Sequence, residues 1–430
     1  VREATALRLD ADALVIGAGP AGAATAIWLA AAGWRVVLVE RQTYPRQKVC
    51  GECISAGTLS LLDALGVGLA VRAIAGPELR QLCWISPRAT VLAQFPPCTA
   101  GADRYGCAVG RDHLDELLLE RARRLGVEVL QPATVCSVGG APGRFECVIA
   151  GPTRQPRAGA YGYRMEQTRR VRVLIDAHGS WERPPTRLDA GASARVERAA
   201  LLDADLFAFK ASLRNTALTP GLLGVISIAS GYGGIVIADG GRTTLACCIR
   251  RDRLSMCRAQ WPGTTAGTAV GEYLRRSCPA LRGLLASARH DGPWLTVGPI
   301  RPGIRVGVDG DVFRVGNAAG EAHPLIGEGI SIALQSAGLL AEHLLSEPVA
   351  RLGRRLTHEL NRRYAAAWRD AFAARLRWAA WYAHTAMHPL CAAPAQLLLH
   401  RWPSLLTVAA RWAGKASRPT VRVTSTERRA

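Results

Sequence analysis

Lysine is nearly missing from this sequence. Only Lys48, Lys210 and Lys415 carry an ammonium group, and arginine supplies the rest of the 54 basic residues. Acid is short as well, with 34 Asp and Glu, so the formal charge is +20. No apolar run reaches the roughly 18 uncharged residues of a spanning helix, which excludes a helical integral membrane protein. The first apolar stretch, residues 13–16, runs into glycines and lacks the layout of a cleavable signal. The expected location is therefore the cytoplasm. Cys50 and Cys53 form one CxxC, but there is no second such pair to complete a zinc site, and no metal is expected. Twelve cysteines spread from Cys50 to Cys391 without a secretory layout read as buried thiols rather than a disulfide framework. No nucleic-acid-binding motif accompanies the positive charge, so a nucleic-acid partner is not expected. No internal repeat is present.

What is there is globular. Hydrophobic residues make up 49% and charged residues 20%, which excludes a disordered, collagen-like or coiled-coil chain. At roughly 150 residues per domain, 430 residues make two or three packed units. The charge is uneven. Residues 349–430 hold 15 Lys and Arg against 3 Asp and Glu. Such a segment suits an anionic partner, either an acidic lipid surface or an acidic carrier protein.

Residues 11–40 read as strand, glycine turn, helix and strand, a βαβ unit that implies a parallel sheet. A second helix spans 111–126, with Leu114, Leu117, Leu118, Ala122 and Leu125 at helical spacing, and a strand follows it. Residues 144–150 and 171–175 pair as strands. Between them, 151–170 is rich in Gly, Pro and Arg and reads as an exposed hairpin or a flexible excursion. From 199 to 250 short alternating runs with glycine turns predict an antiparallel sheet. Residues 252–289 are helical with a break at Pro262 and Gly263. A buried strand returns at 311–315, a long helix covers 329–345, and 352–413 is helical and rich in Trp and Arg.

Four segments carry chemistry. Gly17-Ala18-Gly19-Pro20-Ala21-Gly22 follows a strand and opens a helix. Gly17 permits the tight turn, Gly19 admits a pyrophosphate against the backbone, and Gly22 lets helix and strand pack closely. The helix N-terminus then faces the phosphates. Glu40 ends the next strand, 18 positions after Gly22, where an acidic side chain accepts from ribose hydroxyls. The others are residues 45–52 (ProArgGlnLysValCysGlyGlu), 176–180 (AspAlaHisGlySer), and 316–330, which opens GlyAsnAlaAlaGly and closes ProLeuIleGlyGluGlyIle. No second strand-GxGxxG-helix unit exists, so a separate nicotinamide domain is not expected.

On these residues the sequence resembles the flavoprotein monooxygenases of the para-hydroxybenzoate hydroxylase fold, and more closely their geranylgeranyl-reductase-like branch. The resemblance covers residues 11–345. It implies an α/β fold: an FAD-binding Rossmann-like (GR2-type) domain with an inserted antiparallel-sheet substrate domain and a C-terminal helical region. The FAD domain would be discontinuous, over 1–80, 104–186 and 293–345. The substrate domain would take 81–103 and 187–292, the helical region 346–415, and a flexible tail 416–430. Gly17, Gly19, Pro20, Ala21, Gly22, Glu40 and Arg41 match the adenosine end of FAD. Lys48 lies in the segment that the branch places near the flavin, Arg111 matches an arginine near the cofactor whose fork suits phosphate or ribose oxygens, and Gly316, Asn317, Pro324, Gly327, Gly329 and Ile330 match the flavin end. The donor would be NAD(P)H or a reduced electron carrier. The family usually has Asp where this chain has Asn317, and Cys53 falls where no cysteine is expected.

Cys50 is the sharpest catalytic candidate, as a proton donor near the flavin; the alternatives are a packing residue in a turn and a redox pair with Cys53. Lys210 is the second, either meeting a substrate carboxylate or phenolate or standing as a solvated strand lysine. Tyr232 reads as a turn aromatic that also has the pocket within reach. His178 and His323 read as local hydrogen-bonding residues. Trp378, Trp381, Tyr382, Trp402 and Trp412 read as helix core; interleaved with Arg375, Arg377, Arg401 and Arg411, they also fit a membrane-surface patch. The expected function is that of an FAD-dependent oxidoreductase on a hydrophobic small-molecule or lipid-like substrate, by NAD(P)H-dependent monooxygenation or by reduction of a carbon–carbon double bond. A flavin-dependent halogenase is an alternative, disfavoured by the lack of a WxWxIP motif and of any lysine between Lys48 and Lys210. A non-catalytic flavin electron-transfer protein is another. An NAD-dependent dehydrogenase is disfavoured by the flavin-end segments.

Overall fold

The structure is a computed structural model and describes residues 9–99, 102–152, 163–180, 186–187, 201–307 and 310–414. The flexible tail expected at 416–430, the middle of the segment 151–170 expected to be an exposed hairpin, and residues 181–185 and 188–200 lie outside the described residues.

The chain opens with β1 (Ala11–Ile16), α1 (Pro20–Ala31) and β2 (Val36–Val39). β3 (Cys53–Ile54), α2 (Ala56–Ala64) and α3 (Gly68–Ile74) follow, then β4 (Gln81–Ile85), β5 (Thr90–Gln94), β6 (Cys107–Ala108), α4 (Arg111–Arg124) and β7 (Glu128–Leu130). Next come β8 (Thr134–Ala141), β9 (Arg144–Pro152), β10 (Tyr163–Asp176) and β11 (Thr186–Arg187). The inserted section holds β12 (Leu206–Arg214), β13 (Leu222–Ile228), β14 (Gly231–Ile237), β15 (Thr243–Arg250), α5 (Arg251–Gln260), α6 (Ala266–Ser277), α7 (Pro279–Leu284), β16 (Arg289–His290) and β17 (Leu295–Ile300). The chain then forms β18 (Gly303–Ile304), β19 (Phe313–Arg314), β20 (Gly320–Glu321), α8 (Gly329–Leu345), α9 (Arg354–Met387), α10 (Pro389–Arg401) and α11 (Ser404–Trp412).

Two large sheets organise this. In the first, β1 lies between β10 and β2, parallel to both, and β7 extends the parallel set beyond β2. β19 returns from the far side of the insertion to pair in parallel with β10. Side chains of adjacent strand residues point to opposite faces. Ala13 and Val15 therefore pack against the helices, with Ile27 of α1, Leu118 of α4 and Leu334 of α8. Leu14 and Ile16 pack on the other face with Phe145, Cys147 and Ile149 of β9. Both faces are buried, which accounts for the unbroken apolar run of β1.

The second sheet has the order β16, β12, β15, β14, β13, β4, β5, and only β4 and β13 run parallel. The four strands expected between 199 and 250 are its centre. One face packs Phe209, Ile226, Ile235 and Cys247 on α5–α7. The adjacent Cys248 points the other way, beside Tyr232 and Ala208. α10 and α11 cover part of that second face, with Leu406 and Ala410 against Leu82 and Leu223.

Trp368 of α9 is core, but the tryptophans beyond it are not. Trp378, Trp381, Trp402 and Trp412 are 43%, 56%, 50% and 58% exposed. Beyond Leu376, the buried seam of α9 is built from alanines, Ala379, Ala383 and Ala386. Small side chains let this stretch approach its neighbours closely, and the indoles are left on the outside.

The two sheets are joined by buried charge. Glu52, 1% exposed, holds φ 60, the left-handed region that glycine adopts readily and other residues rarely. One carboxylate oxygen accepts from the Lys210 ammonium of β12 and, at 3.0 Å, from the Arg111 amide that opens α4. The other accepts from the Thr244 hydroxyl of β15. Nearby, Arg242 forks onto Asp112 of α4 with two 2.9 Å bonds, and Asp239 accepts from the Gly110 amide. Removing one partner of a buried pair strands the other charge at a cost of about 3–5 kcal/mol. Glu52→Ala should therefore lower the unfolding free energy in urea by about that amount, and combining Glu52→Leu with Lys210→Met should restore most of it. A single Glu52→Ala variant as stable as the parent would contradict this reading.

Candidate active site

The site lies in the cleft between the two sheets. Its empty volume is about 1590 Å³, counting the open mouth. Two helices begin on it. Gly19, Pro20 and Ala21 bring in the start of α1, and Gly327, Gly329 and Ile330 the start of α8. The first amides of a helix have no partners inside the helix and carry partial positive charge, so both ends are suited to anionic or electron-rich groups.

The glycines have separate steric reasons. Gly17 has φ 97, and a Cβ there would stand 2.7 Å from the Ala177 carbonyl oxygen. A Cβ on Gly22 would meet the Gly17 carbonyl oxygen at 1.9 Å, so this glycine sets the contact between helix and turn. Gly19 differs. The nearest atom to a Cβ there is Arg111 Nη2 at 3.6 Å, and the space above the backbone opens into the cleft. A Cβ on Gly329 would meet nothing within 4 Å. Bare backbone at both helix starts, with room above it, fits a dinucleotide laid across the cleft.

Lys48, Cys50, Arg111, Gly316, Asn317 and Pro324 also line the cleft. Arg111 is buried and forks onto Asp115 with two 2.7 Å bonds. Burial works against its charge, but the Asp115 carboxylate outweighs this and raises its pKa. Asn317 donates to the Ser180 hydroxyl at 2.8 Å, and Ser180 donates to Glu321 at 2.7 Å. Burial raises the pKa of Glu321, while Ser180 and Arg305 oppose the shift. A carboxyl group thus stands close to Asn317 even though residue 317 itself is an amide.

Three sequence candidates sit off the cleft. Glu40 is buried behind the glycine turn, accepting from the Ala18 amide at 2.9 Å and the Gln42 amide at 2.8 Å. It fixes the turn. Arg41 is exposed. Lys210 is 1% exposed, so the expectation of a solvated lysine does not hold, and its ammonium goes to Glu52 rather than into the cavity. Its place in a strand was expected, but its partner lies 158 residues away and sequence spacing could not reveal it.

Cys50 accepts from the Glu52 amide at 3.3 Å. Its side chain packs against the core of the first sheet, whereas Cys53 belongs to the cluster under β4 and β5, and no disulfide joins them. Tyr232, the second residue of β14 rather than a turn residue, is 1% exposed and lines the cleft. Its hydroxyl lies 3.2 Å from His323 Nδ1. Burial lowers the His323 pKa to about 4 and pushes that of Tyr232 well up. The His323 imidazole is neutral at pH 7 and the Tyr232 phenol keeps its proton, and the His323 tautomer sets which of the two donates in this bond. His178 is bonded to Asp176 beside the cleft. Glu52, Glu321 and Cys248 also line the cavity. Glu52 had a signal in the sequence, since it ends the 45–52 segment at the place where a second glycine would answer the geometry.

Comparisons with known proteins agree with this geometry. Residues 10–142 match the FAD binding domain family. A 140-residue stretch is 31% identical to menaquinone reductase of Mycobacterium tuberculosis, covering 30% of this chain and 31% of that protein. The match thus spans about a third of the relative's length. Among solved structures, p-nitrophenol 4-monooxygenase from Pseudomonas putida superposes with a TM-score of 0.69 at 17% identity, over 96% of this chain and 98% of that one. The myxobacterial chondrochloren halogenase gives 0.66 at 21%, over 93% and 90%. A geranylgeranyl bacteriochlorophyll reductase-like protein from Thermoplasma acidophilum gives 0.59 at 17%, over 94% and 99%. The chain has the FAD-dependent monooxygenase fold, with an FAD-binding domain, two large sheets and C-terminal helices. No helix among the described residues is long and apolar enough to cross a membrane.

Gly19→Val places two methyl groups in the space above the turn. It should abolish FAD retention through a desalting column with little change in thermal stability of the apoprotein. A variant that keeps stoichiometric flavin would contradict the placement of the pyrophosphate.

Proposed function

We propose that this chain is an FAD-dependent oxidoreductase that reduces a carbon–carbon double bond in a hydrophobic, lipid-like substrate. The supporting observation is the meeting of Cys50 and the Tyr232–His323 pair in one cleft, against an apolar wall that includes Ala208, Leu223, Val225 and Val236. Bound there, FAD would supply a hydride once reduced, either by a hydride from NAD(P)H or by two electrons from a reduced carrier with protons taken from water. The protein contributes the rest. The apolar strands of the second sheet hold the substrate and exclude water. The start of α8 presents amides to the electron-rich edge of the flavin. Cys50 holds the proton that completes addition across the double bond, and Tyr232 is a second donor fixed by His323. The likeness to menaquinone reductase over 140 residues and the 45–52 segment support a reductase over a hydroxylase. The halogenase reading gains nothing from Lys210, whose charge is neutralised by Glu52.

The test is an anaerobic single turnover of dithionite-reduced holoenzyme with a short-chain menaquinone, read by mass spectrometry. After the quinol ring is reoxidised in air away from the enzyme, the product should still carry two added hydrogens, located in its prenyl chain and absent from a control without enzyme, and no added oxygen. A product that forms only on admitting air and carries an added oxygen atom would replace this reading with monooxygenation. Cys50→Ala should keep its flavin and slow the turnover by about 100-fold. An unchanged rate would return Cys50 to a packing role.

A further inference from the structure

We propose that the C-terminal helices dock this protein on an anionic lipid surface. Three observations carry this. The first is an aromatic cluster that the fold leaves uncovered. Trp378 of α9 stacks edge-on with Trp412 of α11 at 5.5 Å between ring centroids and with Trp381 at 5.9 Å, and Trp381 lies 5.2 Å from Tyr382. Trp378, Trp381 and Trp412 are each about half exposed.

The second is the surface around it. On α11, Leu405, Val408 and Trp412 form an exposed stripe at i, i+3 and i+7, while Leu406 and Ala410 face the second sheet. On α10, Leu397 and Leu398 are 73% and 50% exposed. An amphipathic helix normally turns its apolar stripe to the core. Here α11 has an apolar stripe on both faces, and the outer one is bare.

The third is charge. Residues 371–426 contain no Asp or Glu, but seven Lys and Arg. Arg377, Arg401 and Arg411 are exposed on the same helices, and the Arg401 guanidinium lies 5.6 Å from the centre of the Trp402 ring. Indoles beside arginines, without acid, are the pattern of the membrane interface, where rings sit at headgroup depth and each cation near an anionic surface adds to the attraction. A second copy of the chain is the poorer occupant, because a symmetric contact would set arginine-rich faces against each other. The docking helix also lies close to the cavity, since Leu406 and Ala410 share an apolar cluster with Leu223 and Val236 of the cleft wall.

The full chain is tested by co-sedimentation with vesicles of phosphatidylcholine alone and of phosphatidylcholine mixed with phosphatidylglycerol, with light scattering of the free protein. Binding should require phosphatidylglycerol and weaken with added salt. A variant carrying Trp378→Ser, Trp381→Ser and Trp412→Ser should lose at least about tenfold in affinity, with an unchanged circular dichroism spectrum. A variant carrying Arg377→Gln, Arg401→Gln and Arg411→Gln, whose exposed sites carry little folding risk, should lose a similar factor on anionic vesicles. No binding to anionic vesicles, or equal binding by either triple variant, would overturn the proposal. So would a dimer that the tryptophan substitutions dissociate, which would assign the face to a second copy.

Discussion

One buried carboxylate holds the two halves of this molecule in register. Glu52 belongs to the loop that follows the first βαβ unit, but its carboxylate is shared among Lys210, Thr244 and the first amide of α4. It sits in a left-handed backbone conformation that an ordinary residue adopts at a cost of roughly 1–3 kcal/mol, tolerated only where the surroundings fix it. The position of Cys50 follows from this, because the Glu52 amide donates to its sulfur. So does the orientation of Arg111, whose backbone is anchored on Glu52 and whose side chain is anchored on Asp115. A lysine that would otherwise be an available amine in the second sheet is neutralised by the same contact.

The cleft is therefore polar along one wall and apolar along the other. On the polar wall, two helix starts and the Ser180–Asn317–Glu321 chain of hydrogen bonds offer donors and a buried carboxyl group. The apolar wall comes from strands of the second sheet, with Tyr232 as its polar contribution, satisfied by His323. Such a division suits a reaction in which a polar cofactor and a greasy substrate must meet with water kept out.

Much of the polar wall was legible in the sequence because its constraints are local. Gly17 is required by its own φ of 97 and Gly22 by the Gly17 carbonyl oxygen, and α8 runs from Gly329 to Leu345, as the glycines at its start indicate. The apolar wall was legible only as a set of strands. Which residues face the cleft depends on the register of β12–β15, and that is fixed by partners such as Lys210 and Glu52 that are far apart in the chain. The tryptophans misled for a different reason. Large aromatic residues in a helix usually mark its buried side, but in the second half of α9 alanines take that side and the indoles are displaced outward.

The central claim is that the two helix starts and the bare glycine turn form a single FAD site. The most direct measurement is the visible spectrum of the purified full chain after incubation with FAD and desalting. The account requires a retained flavin band corresponding to one FAD per chain. A colourless protein that is folded by circular dichroism and does not take up FAD would contradict it.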